Sequence, residues 1–525
     1  MKVRKASVPP SPASPSPAGG LRLYLYVTAG LTGAAVMIVE ILGAKILAPW
    51  FGTSHFVWTA QIAVTLVALA VGYYAGGRLV SGSARLGRLY GAIVIAAAYL
   101  ALATALREWI AYLFLPLPLA AGSLLSSVFM FFPPLGLLAM TGPFLVRVLT
   151  SAVSEVGGNV GRLTSVSTMG SFVGTLAIGY VLIPLLPNSA TMYGTAALLS
   201  LSGVFYFLLW RRKASTLAGM AVIVAVGLAA GAWGTSSEAF RNPSLAEIYR
   251  GNSNFGLLQV LQQRDRPYRF YLTDYLIQNT YDVTRGRSVS MFTYMLEGLA
   301  RAYAPRLQHV LCIGMGVGIV PRELARAGAA VDVVEINPAV VPVARKYFDL
   351  DPNEFRLFIA DGRQFLNTSV ERYDAVILDA FNGDSSPSHL MTREAFTAIR
   401  RALNPDGVLV MNSFADLDPS NDFVAASLAR TLRSVFSSLR VHGVLGGNTL
   451  FVASSRAELA FLNPPSFAEV HPDALDEVRA AYATHWETDP GHGIVLTDDR
   501  NPIEFYDAAN RERFRRALAL SMRNR

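Results

Sequence analysis

Seven apolar runs fill the first 235 positions of the chain, each near the length of about 20 residues that a helix needs to cross a bilayer. They lie at 21–47, 56–80, 88–106, 120–149, 162–186, 190–210 and 214–234. Few folds accept such runs. With no water to satisfy backbone N–H and C=O groups, a lipid-embedded segment must close its hydrogen bonds internally, as a helix. The whole chain agrees: of 525 residues, 52% are hydrophobic and 16% charged, where a soluble chain carries about 25% charged. Disorder, a coiled coil and a secreted disulfide scaffold are excluded, and one cysteine, Cys312, forms no internal bridge. The leader, 1–20, is too rich in Pro, Ser and Ala to fold. The first run is too long for a cleaved signal peptide and lacks a convincing cleavage site. A multi-pass protein of the cell (inner) membrane is expected, with the lipid bilayer as its partner.

Charge divides the chain. Up to residue 236 there are fourteen Lys and Arg against Glu40, Glu108 and Glu155, so that part carries eleven of excess positive charge and the remainder three of excess negative charge. The basic balance belongs to loops facing an anionic leaflet, not to nucleic acid. Arg78, Arg85 and Arg88, then Arg147 and Arg162, then Arg211–Lys213 follow the second, fourth and sixth runs, and the leader is basic too. The loops around Trp50–Ser54 and Pro187–Ala190 carry no basic residue. Positive-inside logic puts the leader in the cytoplasm, and seven crossings then deliver everything after 235 to the far side. A nucleotide-using domain is expected in the cytoplasm, so the side stays open, as does whether 107–149, with prolines at 116, 118, 133 and 134, crosses once or twice. Glu40 within the first run costs roughly 2.5 kcal/mol or more in lipid; an internal partner that fixes helix packing is the expectation, ahead of a functional site. Trp50, Phe51 and Trp58 read as interfacial anchors. The glycines of 72–77 and 170–179 are expected to let helices approach closely.

After about residue 240 the pattern changes to short β-branched and aromatic segments. Strands at 255–261 and 268–277 are expected to pair antiparallel, followed by a helix over 291–303. Then strands at 309–313, 331–334, 355–359, 373–378 and 407–411 alternate with helices at 319–326, 339–348 and 393–403. Such alternation predicts βαβ units and a parallel sheet whose ligand sits at the carboxyl ends of the strands. The expected organisation is thus a leader (1–20), a transmembrane helical domain (21–235), a β-element (236–285) and a Rossmann-like α/β domain of the S-adenosylmethionine-using type (286–525).

Four features fall at those carboxyl ends. The first strand runs into Gly314-Met315-Gly316-Val317-Gly318, a turn that lets backbone approach a ligand before a helix begins. The second ends in Glu335, about 20 residues on, the place of an acid that holds ribose hydroxyls. The third ends in Asp361-Gly362, suited to an adenine amino group beside a tight turn, and the fourth in Asp379. Any one acid serves equally as a turn former; all four in register point to a nucleoside site.

On these residues the stretch 310–403 resembles the polyamine aminopropyltransferases, the spermidine synthase family. Val-Glu335-Ile-Asn-Pro, Ala-Asp361-Gly362 and Tyr-Asp-Ala-Val-Ile-Leu-Asp379 match its motifs in order and spacing, and Leu390-Met-Thr-Arg-Glu-Ala-Phe396 is similar to the helix start after its gatekeeping loop. Glu40–Pro49, Gly72–Gly77 and Leu496–Pro502 make the whole chain similar to the membrane-fused branch of that family. The resemblance implies transfer of an aminopropyl group from decarboxylated S-adenosylmethionine, as co-substrate, to a diamine such as putrescine, with release of methylthioadenosine and no prosthetic group or metal. It implies that Gly314, Gly316, Gly318, Glu335, Asp361 and Gly362 hold the donor and that Asp379 acts beside the nucleophile. Gln278, Tyr294, Asn382 and Asp384 are the implied contacts of the amine. Members commonly pair into homodimers.

The chain departs from the pattern on the amine side. Val317 stands where the glycine loop usually has an acid, Asn382 replaces an acid with Asp384 close by, Gly256 stands for a glutamine, and a histidine is replaced near Thr293-Tyr294. Two other readings therefore stay open: a transferase using ordinary S-adenosylmethionine with another acceptor, and a transporter or sensor with a nucleoside-binding module. The seven histidines show no ligand spacing, so no metal site is expected; His389 reads as a loop residue, and Cys312 as a small buried hydrophobe.

Overall fold

A computed structural model describes residues 19–82, 85–150, 152–237, 244–381, 387–489 and 491–523. The chain divides into two compact units, Met1–Leu47 with Phe56–Ala239, and Ala48–His55 with Phe240–Arg525. Among the described residues of the first, seven helices are long and apolar enough to cross a membrane: Gly19–Phe51, His55–Val80, Leu86–Ala105, Leu119–Leu149, Val153–Leu185, Asn188–Trp210 and Ala214–Ser236. Each contains one of the apolar runs or most of it. The proline-bearing stretch after Arg107 holds a short helix, Arg107–Phe114, and a single helix of spanning length.

Small residues set the closest packing of this unit. A Cβ on Gly170 would lie 2.0 Å from the Gly30 carbonyl oxygen, one on Gly174 2.7 Å from that of Ala34, and one on Gly72 2.3 Å from that of Gly136. Backbones touch at these points because no side chain intervenes. Gly77 and Gly179 have open space instead. The internal partner expected for Glu40 is not made: among the described residues no hydrogen bond or ion pair engages it.

The second unit holds two sheets. The first is antiparallel in the order β1 (Leu245–Ser253), β2 (Gly256–Gln263), β3 (Tyr268–Thr273), β4 (Leu276–Asp282), β5 (Arg287–Ser288). The strand expected over 268–277 is a hairpin, corrected by a two-residue turn at Asp274-Tyr275, both with positive φ (46° and 66°). That backbone normally selects Asn-Gly or Asp-Gly. Here tertiary bonds hold it: the Leu257 N–H donates to Asp274 Oδ1 at 2.9 Å, and Arg515 donates to the Asp274 carbonyl.

The second sheet has seven strands: β6 (His309–Ile313), β7 (Ala330–Glu335), β8 (Arg356–Ile359), β9 (Tyr373–Leu378), β10 (Leu403–Ser413), β11 (Ser438–Gly443) and β12 (Thr449–Ser454). Their spatial order is β11-β12-β10-β9-β6-β7-β8. The five from β10 to β8 are parallel, as the alternation predicts, but β12 runs antiparallel to both neighbours, so the sheet is mixed. The short link between β11 and β12 allows only a hairpin; a parallel crossover needs a dozen or more residues. β9 is buried along its whole length and β6 along all but His309, which explains their unbroken apolar runs.

Their amino-terminal ends are tied by Asp374, which accepts from the Gln308 and His309 N–H groups at 2.9 and 3.2 Å, from Asn404 at 2.8 Å and from Arg306 at 3.1 Å. From β6 the chain builds outward through β7 and β8, then returns to place β9 and β10 on the other side. The strand order therefore reverses between β6 and β9, where open α/β sheets bind ligands at their carboxyl ends.

Candidate active site

At that switch point two strand ends meet. β6 gives way to Gly314, whose φ of +92° suits glycine. A Cβ there would lie 2.2 Å from the Asp379 carbonyl oxygen, so the turns after β6 and β9 touch through backbone. The Gly314 N–H donates to the Val334 carbonyl at 2.8 Å and the Asp379 N–H to that of Ile313 at 3.0 Å, which fixes three strand ends together. Gly316 and Gly318 also have positive φ, 53° and 83°, and the chain turns at Gly318 into the helix Ile319–Arg326.

A cavity of about 610 Å³ opens above these ends. Gly314, Gly316, Glu335, Asp361, Gly362 and Asp379 line it, and so does Gln278 from β4. Two of the expected residues, Gly318 and Tyr294, stand elsewhere. Gly318 is not in the wall; it starts the helix behind the turn. Tyr294 is turned away: its hydroxyl donates to the Ser288 carbonyl at 2.6 Å and accepts from the His471 N–H at 3.2 Å, a packing role. Val317 is buried, in a small hollow with Cys312, Phe292 and Ile377. Asn382 and Asp384 lie outside the described residues.

Each strand-end carboxylate has its own environment. Glu335 is buried, and accepts from the Met315 N–H at 3.0 Å and the Asn337 N–H at 2.8 Å. Burial pushes its carboxyl up against the opposing pull of those N–H groups. At Asp361 burial also works upward, but the Gln364 N–H (2.9 Å) and the His389 ring (Nε2 3.0 Å from Oδ2) outweigh it and hold the carboxyl below its ordinary value. His389, expected to be only a loop residue, thus touches the acid read as the adenine contact. Asp379 is pushed up to about 6 by burial, opposed by one hydrogen bond, from Asn412 Nδ2 to Oδ1 at 2.9 Å. Burial likewise pushes the free Cys312 thiol up, as suits a small buried hydrophobe.

Four wall residues were missed in the sequence. Asn412, on β10, and Asn448, in the turn before β12, stand beside Asp379, with Asn448 Nδ2 donating to Asn412 Oδ1 at 2.9 Å. Glu477, from the helix Pro472–Ala483, and Glu504, from Ile503–Arg523, bring two further carboxylates. Neither has a hydrogen-bond or ion-pair partner among the described residues. Desolvation pushes the Glu477 carboxyl up. Only Asn412, just past the apolar run 407–411, and Glu504, in the first turn of its helix, carried any local signal in the sequence.

Residues 290–442 match the family described as "Spermine/spermidine synthase domain". A polyamine aminopropyltransferase of Vibrio vulnificus is 38% identical over 131 residues, covering 24% of this chain and 44% of that protein. A probable polyamine aminopropyl transferase of Bifidobacterium longum is 27% identical over 296 residues, 51% of this chain and 63% of that one. The chain thus spans less than two thirds of the length of either relative. A solved structure of spermidine synthase from Thermotoga maritima aligns with 45% of this chain and 84% of its own, at 22% identity and a TM-score of 0.36. The C-terminal part of the chain, from the helix before β6 into β11, carries a spermine/spermidine synthase domain.

Proposed function

We propose that the C-terminal unit is an aminopropyltransferase. It moves the aminopropyl group of decarboxylated S-adenosylmethionine to a diamine such as putrescine, and the seven apolar helices hold it in the cell membrane. The observation that carries this reading is the charge of the cavity wall. Five carboxylates line it (Glu335, Asp361, Asp379, Glu477 and Glu504), and no Lys or Arg does among the described residues. Both substrates are cations, and a wall of one sign concentrates ligands of the other. Ordinary S-adenosylmethionine adds a carboxylate that would meet five acids and no cation, which favours the decarboxylated donor. Loss of an acid at Val317 is offset by Glu477 and Glu504, supplied from later segments of the chain.

In this reading Glu335 takes the ribose hydroxyls and Asp361 with Gly362 the adenine. The acceptor amine, beside Asp379, attacks the aminopropyl carbon bonded to sulfur. The new C–N bond forms as the C–S bond breaks; its electron pair returns to sulfur, leaving neutral methylthioadenosine. The nitrogen, positive after attack, gives its proton to Asp379 or arrives already deprotonated by it. A sulfonium leaves readily, so alignment is the main task of the site, and a carboxylate titrating near the operating pH suits the proton transfer.

The test is methylthioadenosine release by detergent-solubilised protein given decarboxylated or ordinary S-adenosylmethionine, each with and without putrescine. Release that needs both putrescine and the decarboxylated donor, with spermidine formed, is the expected result. Release from the ordinary donor alone would replace it with another S-adenosylmethionine-consuming transferase. Silence with both donors would move the reading to a transporter or sensor with a nucleoside-binding module.

A further inference from the structure

The Asp379 carboxylate has one hydrogen-bond partner among the described residues, Asn412, and that partner is itself held. Asn412 is 2% exposed and follows Met411, which pairs with Leu378 in the parallel register of β10 and β9. Register alone therefore brings the Asn412 side chain beside Asp379. An amide presents either of two ends, an acceptor oxygen or a donor NH₂. Facing a carboxylate, the oxygen repels and the NH₂ binds. The choice is made by Asn448, whose NH₂ occupies Asn412 Oδ1 at 2.9 Å and so turns Nδ2 towards Asp379. Asn448 is in turn placed by the β11–β12 hairpin. Gly443 (φ +145°) and Gly446 (φ +75°) shape the link, and Thr449 Oγ1 donates to the Ala415 carbonyl at 2.8 Å.

We propose that Asn448 and Asn412 form a two-step positioning relay. Asn448 fixes the orientation of Asn412, and Asn412 holds Asp379 Oδ1, so that Oδ2 is kept for the amine. Neither asparagine is given a chemical step; both act through Asp379. The inference rests on the reading of Asp379 as the proton acceptor. A hydrogen bond to an ionised carboxylate favours the ionised form, so loss of the relay makes Asp379 a carboxyl that releases its proton at higher pH. The other titratable groups around the cavity are Glu335 and Asp361 at neighbouring strand ends, His389 beside Asp361, Tyr271 on β3, Cys312 on β6, and Glu477 and Glu504 on the two late helices. None of them bonds to Asp379 in the described structure.

The experiment is the pH dependence of kcat/KM for methylthioadenosine release by the full-length protein, compared for wild type, Asn412→Ala, Asn448→Ala and the double variant. Asn412→Ala is expected to move the acidic limb upward by about one pH unit, the size of one charge-assisted hydrogen bond. Asn448→Ala should move it the same way by less. In the double variant the shift should equal that of Asn412→Ala, because the second residue acts through the first. Lower rates with an unmoved limb would reduce both asparagines to structural residues, and additive shifts would break the relay into two independent contacts. A parallel readout needs no turnover: the ¹³C-carboxyl titration of labelled aspartate, with the Asp379 signal assigned by its loss in Asp379→Asn. If wild type were inactive with every donor, the functional reading would fall. The titrations would still decide whether the asparagines govern Asp379.

Discussion

Burial raises the Asp379 carboxyl and Asn412 restrains it, leaving it near 6. Below that pH the group is protonated and accepts no proton from an amine; above it the group is ionised. The activity of the wild type should therefore rise with pH through about 6 and level off, until a second group intervenes. Asp379→Asn should remove this limb and lower kcat about 10² to 10⁴-fold, the range of general-base contributions; a limb that persists would move the base elsewhere. Glu477 gives a second prediction. As a wall carboxylate with no partner among the described residues, it should attract the acceptor, so Glu477→Gln should raise KM for putrescine about tenfold, the scale of one charged hydrogen bond. Steady-state kinetics at saturating donor would show it, and an unchanged KM would remove Glu477 from the amine path. Glu335, Asp361 and Asp379 were legible in the sequence because each ends a strand whose apolar run is itself legible. Glu477, Glu504, Asn412 and Asn448 were not. They reach the cavity only through the late helices and the β11–β12 hairpin, whose places in the fold no local pattern encodes.

Unbroken apolar runs made β6 and β9 readable to the residue because both faces of each are buried, and the helices Met291–Tyr303 and Ile319–Arg326 were readable from the period of one apolar face. Where tertiary contacts override local preference the reading failed. Asp274-Tyr275 turns with two positive φ values because Leu257 and Arg515 hold it, and nothing in Leu-Thr-Asp-Tyr-Leu announces that. The two ends of the sheet make opposite predictions. At the carboxyl end, Gly314→Ala must fit a Cβ 2.2 Å from a backbone oxygen at φ +92°, so it should destabilise the unit by about 3 kcal/mol and weaken donor binding together. At the amino end, Asp374→Ala leaves the Gln308 and His309 N–H groups without their acceptor, at a cost of about 3 kcal/mol. It should leave the kcat/KM of the folded fraction as it was, since Asp374 lies at the far end of β9 from Asp379. Burial works to raise the Asp374 carboxyl, but its four donors hold it below its ordinary value. Its contribution is therefore present above the ordinary carboxylate range and lost as pH falls through the lowered value. The gap in melting temperature between wild type and Asp374→Ala should narrow on acidification; a constant gap would assign the loss to packing alone.

For the whole molecule the decisive quantity is a parity. Among the described residues seven helices have the length and composition to cross, an odd number, so the leader and the C-terminal unit should end on opposite sides. The basic residues set which side is which. Most of them lie around or after the ends of the second, fourth and sixth helices, against Lys45 near the end of the first and Arg107 after the third, and the densest cluster, Arg211–Lys213, stands just before the last. A cluster of that kind resists translocation, so the final helix, Ala214–Ser236, should carry the chain outward. Fusions truncated after Lys213 and after Ser237 isolate this one crossing. The first should fluoresce with a green fluorescent protein reporter and the second should be active with a periplasmic phosphatase. If both fluoresce, the last helix does not cross, the C-terminal unit faces the cytoplasm, and Arg211–Lys213 lies on the same side as the proposed donor. If the pair behaves as the charges predict, a unit proposed to bind a nucleoside donor stands outside the compartment where such donors are made. Aminopropyl transfer by whole cells would then depend on delivery of the donor across the membrane, and permeabilisation should raise it. A topology with the unit outside and transfer insensitive to permeabilisation would require another route for the donor, or another donor.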